Sequence, residues 1–352
     1  MPELNGPGLI GLFLVAAVAT WVAGTYLSRA TDALDERLQL GAALGGVILL
    51  AVAGSLPELA ITVSAALQGS LDLAAGNLIG GIAAQTLVLV LCDRAVRGDR
   101  PLSFLVGSLK PVIEGLIVVA VVGVMLLGTM LPATTAIGPF SPASIGILVA
   151  WIVGIAVLGR LRKGEPWGPL SMPGARPGRR HRRERHPTAP PPFEGRSTLA
   201  IAGIFGAACV VTLIAGVALE RSGNGLADLA GINGVVFGAT FLAAATALPE
   251  ISSGIAAIRL GDNELAVADI FGGNAFQLCL FIVADALAGR PVLPAAGVSN
   301  AWLGAVGIVM TVVVATAVIV RTQRRYAGLG IDSVVNIGVY ALGIVGLLIV
   351  TR

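Results

Sequence analysis

Residues 46–93 read GVILLAVAGSLPELAITVSAALQGSLDLAAGNLIGGIAAQTLVLVLCD, and residues 238–285 read GATFLAAATALPEISSGIAAIRLGDNELAVADIFGGNAFQLCLFIVAD. A shift of 192 residues lays the first on the second without a gap. Leu56-Pro57-Glu58 falls on Leu248-Pro249-Glu250, Gly80-Gly81 on Gly272-Gly273, Gln85 on Gln277 and Asp93 on Asp285. Only about a third of the positions are identical. The matches nonetheless fall on Pro, Glu, Gln and paired Gly, residues that apolar helices normally avoid. A weak internal repeat with a broken helix in each copy points to a secondary transporter whose site lies between the repeats. An ionisable residue at membrane depth is costly to keep, so the two Glu are the first functional candidates.

The rest of the chain fits a bilayer. Of 352 residues, 56% are hydrophobic and 12% charged, against about 25% charged in soluble domains. The class is therefore an all-α polytopic membrane protein. Cys92, Cys209 and Cys279 lie in apolar runs without metal-ligand spacing, and imply no disulfide framework. Both histidines, His181 and His186, lie in a polar loop, which excludes a His-based metal site in the membrane. The first apolar run is too long for a signal sequence and reads as an uncleaved span.

Apolar runs of spanning length place helices at about 8–27, 39–68, 71–93, 106–131 and 142–161. A second set falls at about 198–219, 231–260, 262–287, 297–320 and 331–350. The second and seventh are interrupted at Gly54-Ser55-Leu56-Pro57 and Ala247-Leu248-Pro249, and Asp32 to Arg37 reads as a polar connector. The expected organisation is an N-terminal five-helix half (1–161), a basic Pro-rich linker (162–197) and a C-terminal five-helix half (198–352). The linker reads as a cytoplasmic tether, with a nucleic-acid or anionic-lipid role for Arg179-Arg180-His181-Arg182-Arg183 as the weaker alternative; no nucleic-acid partner is expected. With the linker in the cytoplasm, 19 of the 23 Lys and Arg fall on that side. That predicts a plasma-membrane protein with its N-terminus outside. An odd number of spans per half makes the two repeats inverted, so Glu58 and Glu250 approach the midplane from opposite faces.

Proline has no N–H and crowds the carbonyl four residues back. Pro57 and Pro249 thereby free the carbonyls of Ala53 and Ala245. Broken backbone at membrane depth survives only in a protein interior or a wet cavity. Carbonyl and carboxylate oxygens are hard ligands that suit calcium. Gln85 and Gln277 each lie 27 residues after their Glu. At 1.5 Å per residue, out along one helix and back along the next, each Gln returns to roughly the depth of its Glu. Two Glu and two Gln then make a cluster of formal charge −2 that matches one divalent cation. The Gln residues could instead simply bond helix to helix. Gly81 and Gly273 read first as packing residues. Asp93 and Asp285 read as caps or anchors at the membrane ends, and Lys110 and Glu114 as an intrahelical pair.

These residues resemble the calcium/cation antiporter superfamily, which contains sodium/calcium and calcium/proton exchangers. The resemblance rests on paired Leu-Pro-Glu motifs with their following Gly-rich motifs, in two five-helix halves. It implies that Glu58 and Glu250 bind calcium, exchanged for sodium or protons, with no enzyme activity and no cofactor. The family's Thr-Ser before Leu-Pro-Glu corresponds to Gly54-Ser55 and Thr246-Ala247, one hydroxyl lost in each copy. Its Gly-Asn becomes Gly76-Asn77 and Ala268-Asp269, and its Gly-Ser-Asn becomes Gly80-Gly81-Ile82 and Gly272-Gly273-Asn274. Ser55, Thr246, Gly54, Gly81, Gly273, Asn77, Asp269 and Asn274 thus stand as candidate supporting residues around the Glu–Gln cluster. The missing hydroxyls line sodium sites in the sodium-coupled branch, and the Gln pair looks more like calcium/proton exchangers, so the reading leans to proton coupling. Manganese, magnesium or potassium as the cation, and a cation channel as the mechanism, remain the competing readings. The sequence does not reveal an oligomeric state.

Overall fold

The computed structural model describes residues 5–38, 50–132, 134–160, 193 and 195–351. The start of the second expected span and nearly all of the basic linker lie outside these residues. In chain order the described elements begin with α1 (Gly6–Leu38), α2 (Leu50–Gly54), α3 (Leu56–Gln68), α4 (Leu71–Ala95) and α5 (Leu102–Leu105). There follow α6 (Lys110–Thr129), α7 (Pro142–Arg160), α8 (Thr198–Ala230), α9 (Gly234–Phe237), a π turn (Gly238–Leu242), α10 (Ala243–Thr246) and α11 (Leu248–Arg259). Next come α12 (Asn263–Gln277), a 3₁₀ turn (Leu278–Leu280) and α13 (Phe281–Ala288). A second 3₁₀ turn (Leu293–Ala295) leads to α14 (Gly297–Val320), the two-residue hairpin strands β1 (Arg325–Tyr326) and β2 (Leu329–Gly330), and α15 (Ile331–Val350).

Among the described residues, eight helices are long and apolar enough to cross a membrane. The bent pair 234–246 and 248–259, kinked by 44°, makes a ninth. Two boundaries differ from the sequence expectation. Asp32 to Arg37 is not a connector, because α1 runs on to Leu38 and buries Thr31, Ala33 and Leu34. The sixth expected span does not stop at residue 219, because α8 continues through Glu220 and Arg221 to Ala230. In both cases apolarity marks where lipid ends, and packing carries the helix further.

The breaks arise where proline demands them. Pro57 and Pro249 occupy the first turns of α3 and α11, positions where a missing N–H costs nothing. Each of these helices is turned back by a glycine in the left-handed region, Gly69 (φ 81°) and Gly261 (φ 80°). That conformation is costly for any residue with a Cβ.

The helix α4 is central, and α12–α13 is the next most buried of the spanning segments. Phe271, Phe281, Met125, Val118, Val121 and Val122 are almost fully buried around them. By contrast α1 and α8 pack lengthwise on each other and present Leu14, Val15, Leu199 and Ile214 outward, as lipid-facing helices do. Lipid tails supply no hydrophobic drive between helices, so close backbone approach has to hold such a bundle together. Glycines provide it. A Cβ on Gly80 would lie 2.5 Å from Ala239 Cα, and one on Gly238 would lie 2.4 Å from the Leu73 carbonyl oxygen.

The aspartates that close the two repeats join the ends of the bundle. Asp93 accepts hydrogen bonds from the Leu102 and Gly330 N–H groups (2.7 and 2.6 Å) and from Ser333 Oγ (2.8 Å). Asp285 accepts from the Val292 and Ser141 N–H groups (2.7 and 2.8 Å). Gly330 and Ser141 precede α15 and α7, so each aspartate satisfies the start of the other half's last helix. Asp93→Ala leaves those buried donors unpaired and removes the carboxylate facing Arg325 (3.8 Å). At about 1–3 kcal/mol for an unsatisfied buried group, this variant is expected to melt well below the parent in detergent, as read by a thermal unfolding curve.

Candidate functional site

The two broken helices bring their glutamates together. Glu58 is 1% exposed, one residue after Pro57, and its Oε1 accepts a bond from Gln85 Nε2 at 3.3 Å. Its Oε2 is buried with no hydrogen-bond partner among the described residues. Thr246, from the other half, stands against the same carboxylate. Glu250 is close enough to Glu58 for the two charges to repel, and its Oε2 is also buried and unpartnered. Two carboxylate oxygens without donors in an apolar interior are costly unless a cation or proton is shared with them. Among the described residues, no group of three or more His, Cys, Asp or Glu is arranged to hold a metal. Asp269 is a third carboxylate, lining the same pocket as Glu250 and near enough to act on it.

The glutamines have unequal surroundings. Gln85 bonds to Glu58, whereas Gln277 Nε2 donates across the halves to the Leu78 carbonyl at 2.7 Å. Both are buried. A reciprocal contact links them. A Cβ on Gly81 would sit 3.1 Å from Gln277 Nε2, and one on Gly273 would sit 3.9 Å from Gln85 Oε1. Gly81 makes room for the amide of the opposite half, whereas a Cβ on Gly273 would make an ordinary contact.

The pocket beside the glutamates is lined by Ala53, Gly54 and Pro57, by Pro249, Glu250, Ser253 and Asp269, and by Gly24, Leu27, Ser28 and Thr212 from the two long helices. Asp269 accepts from Ser253 Oγ at 2.8 Å at its wall. The remaining expected residues Asn274, Asn77, Ser55 and Ala245 are all buried in the bundle. Asn274 Nδ2 reaches the Ile82 carbonyl and Thr86 Oγ1 at 3.4 and 3.3 Å, so it ties helix to helix. Asn77 is buried with neither amide atom bonded among the described residues. Ser55 is buried ahead of α3 without a side-chain capping bond, and Ala245 is buried in an apolar cluster with Ala16, Ala17 and Leu242. Glu114 Oε2 is buried without a hydrogen-bond partner among the described residues, and Lys110 stands near enough for its charge to act on that carboxylate.

Sequence reasoning missed the contacts that the first helix of each half makes with the broken helices. The 192-residue shift also carries Phe13, Ala16, Thr20, Gly24 and Leu27 onto Phe205, Ala208, Thr212, Gly216 and Leu219. A Cβ on Gly24 would lie 2.6 Å from Pro249 Cγ, and one on Gly216 would lie 3.0 Å from the Pro57 carbonyl oxygen. Each long helix therefore rests on the proline of the opposite half. It also missed Glu220, buried on α8, which accepts from Ser64 Oγ, Gln68 Nε2 and Ser70 Oγ at 2.8, 2.6 and 2.5 Å. A buried carboxylate bonded by three partners of another segment is a structural tie.

The sequence model of the family described as "Sodium/calcium exchanger protein" matches the chain twice, over residues 8–159 and 199–350. The chain is 24% identical over 279 residues to the inner membrane protein YrbG of Escherichia coli (strain K12), covering 79% of this chain and 78% of that one. Its fold is similar to that of the H+/Ca2+ exchanger CAX, with a TM-score of 0.62, 14% identity and coverage of 97% and 87%. It is also similar to the sodium-calcium exchanger NCX_Mj, with a TM-score of 0.60, 15% identity and coverage of 97% and 99%. The broken helices with their facing glutamates thus sit in a chain that belongs to the sodium/calcium exchanger protein family of the calcium/cation antiporter superfamily, a multi-pass membrane transporter and not an enzyme.

Proposed function

We propose that the protein exchanges calcium for protons or sodium by alternating access, through a midplane site built on Glu58 and Glu250 with Gln85 and Gln277. The observation that carries this is the pair of buried, mutually repelling carboxylates, each with an oxygen that has no hydrogen-bond partner among the described residues. Two bare carboxylates in a low-dielectric pocket must hold a divalent cation or be neutralised otherwise. Occupancy by calcium and by the coupling ion is then mutually exclusive. If only an occupied site can switch its exposure, exchange follows. Candidate neutral ligands are the carbonyls of Ala53 and Ala245, with Ser55, Thr246, Gly54, Gly81, Gly273, Asn77, Asp269 and Asn274 around them.

The architecture in this reading is ten spans in two inverted halves, 1–161 and 198–352, joined by the basic linker. The reciprocal contacts support it: Gly81 to Gln277 with Gly273 to Gln85, and Gly24 to Pro249 with Gly216 to Pro57. The Lys and Arg bias supports an outside N-terminus, a cytoplasmic linker and a plasma-membrane location. Switching occurs by movement of α1 and α8 against the core.

The coupling ion is tested by calcium uptake into proteoliposomes under an imposed pH gradient or an imposed sodium gradient. The Gln pair and the lost motif hydroxyls predict uptake under the pH gradient alone. Uptake under sodium alone would reverse the coupling assignment. Uptake under neither, with both glutamates intact, would reject calcium as the cargo.

A further inference from the structure

We propose that Thr20 on α1 and Thr212 on α8 are cation ligands, one hydroxyl delivered to the site by each long helix. The proposal rests on the two-carboxylate reading above and extends its ligand set to the elements outside the broken helices.

Of the threonines in residues 1–160, only Thr20 falls on another threonine after the 192-residue shift. Both side chains are fully buried, at 0% exposure, and neither hydroxyl has a hydrogen-bond partner among the described residues. A helical threonine has an easy way to satisfy itself, by bonding to the carbonyl three or four residues back. Other threonines here do so. Thr25 bonds to Trp21, Thr86 to Ile82, Thr240 to Val236 and Thr311 to Gly307, at 2.6 to 2.8 Å. Thr20, Thr31, Thr62 and Thr212 forgo this bond, and of these four only Thr20 and Thr212 fall at equivalent places in the two halves. A buried hydroxyl without a partner costs about 1–3 kcal/mol. Two such costs at one repeated position point to a ligand.

Position identifies that ligand. Thr212 lines the pocket together with Glu250, Ala53 and Gly54. Thr20 lies one helical turn before Gly24, which rests on Pro249, as Thr212 lies one turn before Gly216, which rests on Pro57. Each threonine therefore lies one helical turn along its helix from the glycine that touches a proline break, and Thr20 is the register equivalent of the pocket-lining Thr212. Calcium takes six to eight oxygens, and two carboxylates with two amides leave positions for neutral oxygens. A hydroxyl is a hard neutral donor of that kind and adds no charge to the pair. Because the threonines ride on α1 and α8, an ion they help hold is bonded to the core and to these two helices at once. Occupancy then biases the position of those helices.

The test compares Thr20→Val and Thr212→Val with Thr20→Ser and Thr212→Ser in the full-length protein, by radioactive calcium uptake into proteoliposomes. Valine keeps the shape and removes the oxygen, whereas serine keeps the oxygen and removes the methyl. The expected result is a rise of about tenfold in the half-saturating concentration of calcium or of the coupling ion for each valine variant, with most of the lost affinity regained in the serine variants. A packing role predicts the reverse order, valine tolerated and serine impaired, and that order would overturn the proposal. So would unchanged half-saturation for both ions in the valine variants. Should valine prevent folding, as seen by melting in detergent, Thr→Ala against Thr→Ser gives the same comparison. Glu58→Gln and Glu250→Gln run alongside. If they transport calcium, the carboxylate reading fails; if they are inactive while the valine variants are indifferent, the threonine assignment alone fails.

Discussion

Glu58→Gln and Glu250→Gln are each expected to abolish calcium uptake by purified protein in liposomes. The substitution keeps the size of the side chain and removes one of two negative charges. A divalent ion in a low-dielectric pocket then faces a single carboxylate. With calcium bound, each carboxylate is one partner of a buried ion pair, and removing one partner of such a pair costs about 3–5 kcal/mol, roughly two to four decades of affinity. The effect is set by charge, and Gln85, which bonds to Glu58 at 3.3 Å, has no charge to lend. Uptake indistinguishable from protein-free liposomes is the expected reading, with the variant still monodisperse in detergent. Full retained uptake in either variant would sink the assignment of the site.

The second large effect is on folding. Gly80→Ala and Gly238→Ala each add one methyl group where the opposing atoms are backbone. The new carbon meets Ala239 Cα at 2.5 Å in the first case. In the second it meets the Leu73 carbonyl oxygen at 2.4 Å and Asn77 N at 2.9 Å. Backbone in the centre of a bundle cannot turn aside as a side-chain tip can, and forcing extra atoms into a packed interior costs about 1–3 kcal/mol or more. We expect neither variant to be recovered as folded protein after size-exclusion chromatography in detergent. Gly123→Ala is the control, since a Cβ there meets nothing within 4 Å. Normal recovery of the Gly80 variant would mean that α4 and the π turn are not held in contact as described.

The repeat and its broken helices were legible because proline, glutamate and glutamine are rare in apolar runs. Their recurrence at one offset therefore carries information even at low identity. Span positions were legible for the same reason that bilayers select composition, and α4, α7, α14 and α15 begin and end within two or three residues of expectation. The ends of α1 and α8 were not, because hydropathy reports lipid and these helices continue past it on packing and on the Glu220 tie. The partners of Asp93 and Asp285 were hidden too. Gly330 and Ser141 lie far away in sequence, and a backbone N–H has no sequence signature. Thr20 and Thr212 were overlooked because a lone threonine in an apolar helix usually satisfies itself. The absence of that bond in three dimensions, shared with Thr31 and Thr62, together with their recurrence at one offset sets the pair apart.

In the proposed exchange cycle the tie at Glu220 makes α8 a lever. Its fulcrum is the carboxylate held by Ser64, Gln68 and Ser70. At 1.5 Å per residue, Thr212 lies about 12 Å from it and the start of the helix at Thr198 about 33 Å. A swing of about 10° around the fulcrum displaces Thr212 by roughly 2 Å and the far end by nearly three times as much. Two ångströms separates a bonded oxygen from a lost one. The pocket wall can therefore grip or release an ion while all three bonds of the fulcrum stay made.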